Sequence, residues 1–376
     1  MLKTNNETSI SQAISDNSAN HRIPKFSVFF FSGEAPTVST SGIYDLVMNA
    51  AKLAEEAEFE AIWLPERHFH AFGGLFPSPA IVASAIAATT KRLGIRAGSV
   101  VLPLHNPINV AEEWSVIDNI SSGRVGMSVA PGFHPSDFVL KPENYSDRRE
   151  IFRNNVTDLL KLWRGESFTG KDGLQRETSV VTLPRPYQKS LPLWITASES
   201  EDSFKYAGGQ GANILTSLLA LDRKTLASRI QSYRECLQPN CTDQEGGTVT
   251  LMLHTYVSSD EKDVEQHGVQ PLKNYLKEHL NFAAPRADYS KINKLSDSDK
   301  DALVEHAARR YTRDASLIGT PEHCRKVIDD LMKIGVDEIA CLIDFGVPTE
   351  QALQSLKEVA AIKAEIESEH KLHIGV

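Results

Sequence analysis

The chain has 376 residues, of which 41% are hydrophobic and 24% are charged, as in an ordinary soluble globular protein. Its formal net charge of −9, without a basic run, argues against binding to nucleic acid. No apolar stretch reaches the roughly 18 residues that a membrane helix needs, and four cysteines without a C-x-x-C pair indicate free thiols in a reducing cytoplasm.

Residues 1–24 are rich in Ser, Asn and Thr and lack the apolar core of a signal peptide. This composition predicts a flexible N-terminal arm, followed by a single domain over residues 25–376.

Short apolar strands alternate with helical patterns along this domain. Eight strands are predicted at Phe26–Phe31, Ala61–Leu64, Gly94–Leu102, Val125–Ala130, Leu193–Ala197, Ala212–Thr216, Val249–Val257 and Glu338–Ile343. The intervening helices are predicted at Ile43–Ala57, Pro79–Thr90, Asn109–Ile120, Asp147–Trp163, Glu201–Ala207 and Arg223–Cys236, with Gln351–Glu369 as the last. Two insertions are expected, an irregular one at about 165–192 and a helical one at about 261–310.

Eight such units predict an α/β fold of the TIM (β/α)8 barrel type. An open doubly wound sheet is the competing fold, but no G-x-G-x-x-G follows the first strand. The glycine cluster at 208–211 ends a helix instead of opening one.

Polar side chains follow the predicted strands on the face where barrel active sites lie. Histidines on or just beyond the strand ends are His68, His70, His105, His134 and His254. Glu66, Arg67 and His68 follow the second strand directly, and such groups need mutual pairing if they are buried. They indicate an acid–base or hydrogen-bonding site, with a structural ion-pair network as the alternative.

Other chemistries find less support. The His68-x-His70 spacing occurs in metal sites, but no further ligands stand at a matching spacing, so no metal is expected. His70 and His105 are equally well explained as solvated loop residues. Ser128 lies within a strand and not on a nucleophile elbow, which argues against a serine hydrolase.

The segment 196–203 opens a helix directly after the fifth strand. Its backbone N–H groups could bind a phosphate, provided that the nearby carboxylates face away. Ser198 and Glu201 also fit a capping box, and the two roles are compatible.

Four stretches together resemble the bacterial-luciferase-like flavin monooxygenases, namely Phe59–Phe69, Gly98–Pro107, Ser122–Gly126 and Leu317–Pro321. The segments 66–74 and 131–135 look most like members from polyketide and nonribosomal peptide pathways. The resemblance implies a TIM barrel with insertions, usually a homodimer, and FMN as cofactor. It implies a non-prolyl cis peptide at Gly98-Ser99 beneath the flavin ring. The implied FMN-binding residues are Gly98, Ser99, Ala130, Ala197, Ser198, Glu199 and Ser200.

Two positions depart from the luciferases. Arg67 stands where they have an important histidine, and Pro131 stands where they have an arginine near the flavin phosphate. Because proline offers neither charge nor N–H, backbone amides or another cation such as Arg185 would have to bind the phosphate.

The expected function is oxygenation of an organic substrate by reduced FMN and O2 through a flavin C4a-(hydro)peroxide. Arg67 and His68 are the predicted catalytic residues, which hydrogen-bond the peroxide or a substrate oxyanion, and Glu66 orients them. The predicted substrate pocket comprises Phe72, Leu75, Phe76, Phe133 and His134.

Without a nicotinamide fingerprint, the expected partner is a separate flavin reductase. The substrate is expected to be a natural-product intermediate, free or tethered to a carrier protein. The alternatives are a deazaflavin-dependent hydride transferase, a non-catalytic flavin-binding protein and a metal-dependent barrel hydrolase.

Overall fold

A computed structural model describes residues 23–31, 40–238, 247–283 and 296–374 of the chain. Within these ranges the strands are β1 Lys25–Phe29, β2 Ala61–Leu64, β3 Gly94–Val101, β4 Val125–Ala130, β5 Phe168–Lys171, β6 Glu177–Val180, β7 Leu193–Thr196, β8 Asn213–Ser217, β9 Val249–Val257, β10 Leu317–Gly319 and β11 Glu338–Leu342. The helices are α1 Thr40–Glu56, α2 Pro79–Thr89, α3 Pro107–Ser121, α4 Arg148–Arg164, α5 Glu201–Gly209, α6 Arg223–Cys236, α7 Glu261–Val264, α8 Gln270–Ala283, α9 Asp297–Asp314, α10 Pro321–Lys333 and α11 Thr349–Ile374.

Eight parallel strands close into a barrel in the order β1-β2-β3-β4-β7-β8-β9-β11. The ring closes because β1 pairs with β2 on one side and with β11 on the other. The predicted TIM barrel is therefore confirmed, and closure of the sheet excludes the open doubly wound alternative.

Local sequence signals fix the start and end of α3, which leads away from the end of β3. Asn106 caps the helix by accepting a hydrogen bond from the Ile108 N–H at 2.9 Å, and Pro107 occupies the first turn. Ser122 ends the helix in the left-handed conformation with φ 59°. These caps place His105 directly at the junction between strand and helix.

The N-terminal half of the barrel interior contains a buried polar group of side chains that we call the basal cluster, consisting of Ser27, Trp63, Arg96, Thr250 and Glu338. Arg96 Nη1 donates to both carboxylate oxygens of Glu338 at 2.8 Å. Ser27 Oγ and Thr250 Oγ1 also donate to Glu338, at 2.5 and 3.3 Å. The buried charges are thus paired and hydrogen-bonded, as burial requires.

The structure differs from the predicted elements in both insertions. The segment 165–192 is not wholly irregular, because β5 and β6 form an antiparallel hairpin. The segment 261–310 contains α7, a π-helical turn at Glu265–Val269, α8 and most of α9, while residues 284–295 lie outside the described ranges. The strand β10 and the helix α10 were not predicted. Three strand residues are too few to give a periodic signal, whereas α10 has buried residues at helical spacing, Cys324, Val327, Ile328 and Leu331, and could have been predicted.

Other sequence expectations meet the structure only in part. The predicted arm at 1–24 lies outside the described residues except for its last two positions. Cys236, Cys324 and Cys341 are free thiols, and Cys241 is outside the described ranges. Among the described helices, none combines the length and apolar character needed to cross a membrane.

Candidate active site

Five small residues and Met252 form the floor of an opening at the C-terminal ends of the barrel strands. Six residues at these strand ends are partly exposed, whereas most of the barrel interior is buried: Gly98, Ser99, Ala130, Thr196, Ser217 and Met252. They lie on neighbouring strands, since Gly98 is in register with Ser128 and Ser217 with Met252. Partial exposure inside an otherwise buried barrel means that a ligand can reach this floor, and the small side chains leave room for a flat ring.

The peptide bond between Gly98 and Ser99 is cis, as the family resemblance implied. A Cβ at position 98 would lie 2.9 Å from Phe29 Cε2 and 3.3 Å from Trp63 Cβ, so the packing below leaves space only for glycine. The Ser99 hydroxyl contacts those of Ser128, at 3.2 Å, and Thr196. The floor is therefore polar at this point and tightly supported from below.

Beside the floor, the buried Glu66 and the partly exposed His68 and His105 form a group that we call the mouth cluster. Glu66 Oε1 accepts hydrogen bonds from His68 Nε2 at 3.0 Å and from His105 Nε2 at 2.6 Å. Its other oxygen, Oε2, accepts the backbone N–H of Val101 at 2.8 Å. Glu66 therefore holds the loop after β2 against the end of β3, as its predicted orienting role requires.

Burial and hydrogen bonding shift the pKa values of Glu66 and His105 in the mouth cluster in opposite directions. Burial by itself raises the pKa of Glu66, but hydrogen bonds from His105 and His68 outweigh it and hold that pKa below the ordinary value. Burial likewise lowers the pKa of His105, but Glu66 raises it above the ordinary value. Both shifts favour an ionised carboxylate next to a protonated imidazole.

Arg67 is buried with its guanidinium near two aromatic rings. Its Cζ lies 4.8 Å from the ring centroid of Phe133 and 5.4 Å from that of Phe31. Asp137 is buried nearby, and burial raises its pKa even though the Arg67 guanidinium opposes this shift. The predicted catalytic residues Glu66, Arg67 and His68 thus lie in one buried, charged region of the mouth.

His70 and His134 lie in the same region, with ring centroids 4.6 Å apart. Ser136 Oγ contacts both rings, at 2.6 Å from His70 Nε2 and 2.6 Å from His134 Nδ1. With Asp137 these residue types could bind a cation, since their candidate ligand atoms lie within 4.8 Å of one another. We assign no metal, because Ser136 already engages both imidazoles and Arg67 places a positive charge beside Asp137.

The predicted phosphate segment lies at the start of α5, where Ser198, Glu199 and Ser200 are exposed and Ala197 is buried. The predicted capping box is wrong, because Ser200 and not Ser198 is the N-cap of the helix. Glu201 accepts hydrogen bonds from Arg229 and Ser232 of α6 instead. This carboxylate is thereby engaged by α6; phosphate binding at the segment requires Glu199 and Asp202 to face away as well.

The aromatic residues of the predicted pocket have different positions. Phe133 is partly exposed beside Arg67, and Phe72 packs against Phe31 and Tyr275 with centroids 5.2 and 4.9 Å apart. Phe76 is fully buried against Phe30 and Tyr44, so its assignment to the pocket wall is wrong. Hydrophobic residues in a loop do not reveal from sequence which of them turns into the core.

Arg185 does not serve the phosphate segment. Its guanidinium donates to the carbonyl oxygens of Leu162, at 2.9 Å, and Trp163. It therefore binds the last turn of α4, where cations stabilise helix ends, and the guess that it binds a flavin phosphate is wrong.

Sequence analysis did not single out Asp137. For His105 it left open a site role and a solvated loop role, and the structure shows this residue as a partner of Glu66. His254 is buried among Tyr275, Tyr311 and Phe345, with centroid distances of 4.4, 6.0 and 5.2 Å. Burial lowers the pKa of His254 to about 3, so this imidazole is neutral near neutral pH. Together with the three surrounding rings it forms an uncharged aromatic cluster over β9 and β11.

Comparisons with known proteins agree with this architecture. A family model described as luciferase-like monooxygenase matches residues 25–338. The alkanal monooxygenase alpha chain of Photorhabdus luminescens is 24% identical, over 89% of this chain and 94% of that protein. The oxygenase component of the flavin-dependent trigonelline monooxygenase of Acinetobacter baylyi is 25% identical, over 84% and 88%.

Solved structures share the fold at low identity. Monooxygenase RslO1 from Streptomyces bottropensis gives a TM-score of 0.72 at 23% identity, over 90% of this chain and 98% of that one. The oxygenating constituent of 3,6-diketocamphane monooxygenase of Pseudomonas putida, in complex with FMN, gives 0.69 at 16%, over 91% and 98%. An F420-dependent secondary alcohol dehydrogenase gives 0.62 at 16%, over 87% and 97%.

Proposed function

The chain belongs to the luciferase-like monooxygenase family, and from this premise we propose that it oxygenates an organic substrate with reduced FMN and O2. Membership makes it a flavin-dependent oxidoreductase. The observation that carries the proposal is the accessible floor at Gly98-Ser99, which lies beside the buried cluster of Glu66, Arg67 and His68.

The floor and the start of α5 fit FMN. We propose that the isoalloxazine ring lies over Gly98 and Ser99 with Ala130 beside it, and that the phosphate binds at residues 197–200. Reduced flavin, when bound, supplies the electrons by which one oxygen atom of O2 enters the substrate and the other leaves as water. The engagement of Glu201 by α6 supports the phosphate position, since a carboxylate aimed at it would repel the anion.

Arg67 and His68 are proposed to act on the reacting oxygen atoms. A guanidinium held between two rings and an imidazole held by Glu66 are pre-oriented donors, which stabilise developing negative charge without reorganising. Phe133, Phe72 and His134 are proposed to line the substrate side and to exclude water.

A separate flavin reductase is the proposed partner. The name of the trigonelline enzyme identifies the related chain as an oxygenase component, which supports a division of labour between two proteins. The resemblance of residues 66–74 and 131–135 to natural-product enzymes supports a natural-product intermediate as substrate, free or bound to a carrier protein.

We also propose a homodimer formed through α2 and α3. Ile81, Val116 and Ile120 on these two adjacent helices are exposed although large and apolar. Light scattering of the purified chain tests this: a monomer at micromolar concentration would contradict it.

The second candidate is hydride transfer with the deazaflavin F420, because an F420-dependent alcohol dehydrogenase shares the fold. Calorimetric titration with reduced FMN and with F420 separates the two functions. Tight binding of F420 alone, without incorporation of 18O into product on addition of reduced FMN, would replace the oxygenase proposal.

Oxygenation itself is tested with reduced FMN, 18O2 and candidate substrates, followed by mass spectrometry. The expected product gains one labelled oxygen atom, and both Arg67→Ala and His68→Ala lose most of that product to hydrogen peroxide. Unchanged coupling in both variants would refute their assignment. His306→Gln, an exposed histidine of α9, is the control.

A further inference from the structure

A single oxygen atom of the mouth cluster serves two imidazoles. Glu66 Oε1 is 3.0 Å from His68 Nε2 and 2.6 Å from His105 Nε2. An ionised carboxylate accepts hydrogen bonds but cannot donate them, so both Nε2 atoms carry protons. Each ring is thereby left with Nδ1 as its proton-exchanging atom.

The two imidazoles differ in their access to solvent. The His68 side chain is 11% exposed and that of Glu66 1%, whereas the His105 side chain is 35% exposed. Glu66 therefore joins an enclosed imidazole to one that exchanges protons with water. One negative charge can balance one imidazolium. The cluster is therefore neutral when one of the two rings, but not both, carries protons on both of its nitrogen atoms.

We infer that His105 is a positioning residue that acts through Glu66 and keeps the charge of the cluster constant while His68 exchanges a proton with the reacting oxygen atoms. This inference rests on the proposed oxygenation. At rest His105 carries the extra proton. When His68 Nδ1 takes up a proton from solvent, His105 Nδ1 releases one; when the His68 Nδ1–H bond then breaks and its proton joins the oxygen that leaves as water, His105 Nδ1 regains one from solvent. No proton has to cross Glu66, because the two events are coupled through its charge.

The proton balance of oxygenation requires such a source. Anionic reduced flavin, O2, the substrate and one proton give oxidised flavin, oxygenated substrate and water, so one proton is drawn from solvent in each turnover. Changing the net charge of a buried group is costly, whereas moving one positive charge between two sites beside Glu66 leaves it unchanged.

Other charged groups face the two imidazoles. Glu113 of α3 acts on His105 and favours its protonated form. Asp137 lies within electrostatic range of His68, His70 and Arg67. Glu113 is exposed, so it offers a way to change the charge near His105 without touching the cluster.

The first test uses the flavin-free protein and NMR titration of 15N-labelled histidine rings. In the unmodified chain, His68 and His105 are expected to titrate in coupled steps. In His105→Gln, whose amide still donates to Glu66 but cannot be protonated, His68 is expected to become protonated at a higher pH than in the unmodified chain, since Glu66 then serves His68 alone. An unchanged His68 midpoint would overturn the inference.

A second variant guards against misfolding of the first. Glu113→Gln is expected to lower the His105 midpoint and to raise that of His68, while His306→Gln should move neither. If Glu113→Gln shifts His105 and leaves His68 unmoved, the two rings are not coupled and the inference fails.

The pH dependence of flavin oxidation by O2 gives the turnover readout. An inflection that follows the His105 titration is expected in the unmodified chain and should be absent in His105→Gln, with a loss of rate. Retention of the inflection overturns the role of His105. If the unmodified chain with reduced FMN and 18O2 incorporates no label into product, the proposed oxygenation fails, and the NMR result still decides whether the rings are coupled.

Discussion

Two buried glutamates lie at opposite ends of the barrel interior and are neutralised in different ways. Glu338 in the basal cluster is paired with the guanidinium of Arg96, a type of group that proteins do not deprotonate. Glu66 in the mouth cluster is paired with two imidazoles, the type of group that ordinarily changes charge near neutrality, and it raises the pKa of one of them, His105. A permanent partner suits a structural role, whereas a titrating partner suits a site that exchanges protons.

The largest effect should come from breaking the permanent pair. Arg96→Met leaves Glu338 buried without its counter-charge, and the expected loss is about 3–5 kcal/mol in the free energy of unfolding. Denaturant titration followed by circular dichroism measures it. Arg309→Met, which removes an exposed partner of Glu305, should cost little and serves as the control. Equal losses in the two variants would show that the basal cluster is not structural.

The corresponding change in the mouth should reduce activity more than stability. Glu66→Gln keeps the volume and an acceptor oxygen but removes the charge shared by His68 and His105. Oxygen incorporation with reduced FMN should fall by about 10²-fold, as for loss of an acid–base group, while thermal unfolding changes modestly. If Glu66→Gln strongly lowered the free energy of unfolding but left oxygen incorporation by the folded protein unchanged, Glu66 would be a structural residue like Glu338. The contrast between the two ends of the barrel would then be wrong.

Gly98 lies between the basal cluster and the mouth cluster, and its substitution tests how tightly the floor is packed. An added Cβ meets the buried ring of Phe29 at 2.9 Å, and an aromatic ring in a packed core cannot swing aside. Gly98→Ala should therefore cost about 1–3 kcal/mol of unfolding free energy and weaken FMN binding together with it. Calorimetric titration that finds full affinity would place the flavin away from this floor. Gly173→Ala, at a glycine with no atom within 4 Å of an added Cβ, is the control.

The smallest effect should be the pH dependence of stability. The pKa of His105 is raised from 6.5, so its stabilisation is complete below that pH and is lost as pH rises through the folded value. The pKa of Glu66 is lowered from 4.5, so its stabilisation is present above that pH and is lost as pH falls. The difference in unfolding free energy between the unmodified chain and His105→Gln should therefore shrink above pH 6.5. A constant difference would contradict the charged pairing.

Much of the barrel follows from sequence because its signals are local. Apolar strands ended by Pro or Gly, and helices with caps such as Asn106, are readable one at a time. Glu66 and His68 were recognisable for the same reason, since they follow one strand directly. The cis peptide at Gly98-Ser99 came from the family resemblance, because no local pattern specifies it.

Contacts between distant segments were the part that sequence could not supply. His105 meets Glu66 across 39 positions, and only the closed barrel brings the ends of β2 and β3 together. Glu201 fitted a capping box by its spacing from Ser198, but it pairs with Lys205 one turn on and with Arg229 and Ser232 of another helix, and the latter contacts are invisible in sequence. Phe76 looked like a pocket residue because loop composition does not show which side chains turn inward.

The tryptophans of the barrel interior are intrinsic fluorescent reporters of the floor. Trp63 and Trp194, two of the four tryptophans, lie edge to face with centroids 5.3 Å apart, and Trp63 Cβ lies directly beneath Gly98. Indole emission overlaps flavin absorption, so a ring seated over Gly98 would quench this fluorescence by energy transfer. Occupancy of the floor can thus be followed in real time without any label.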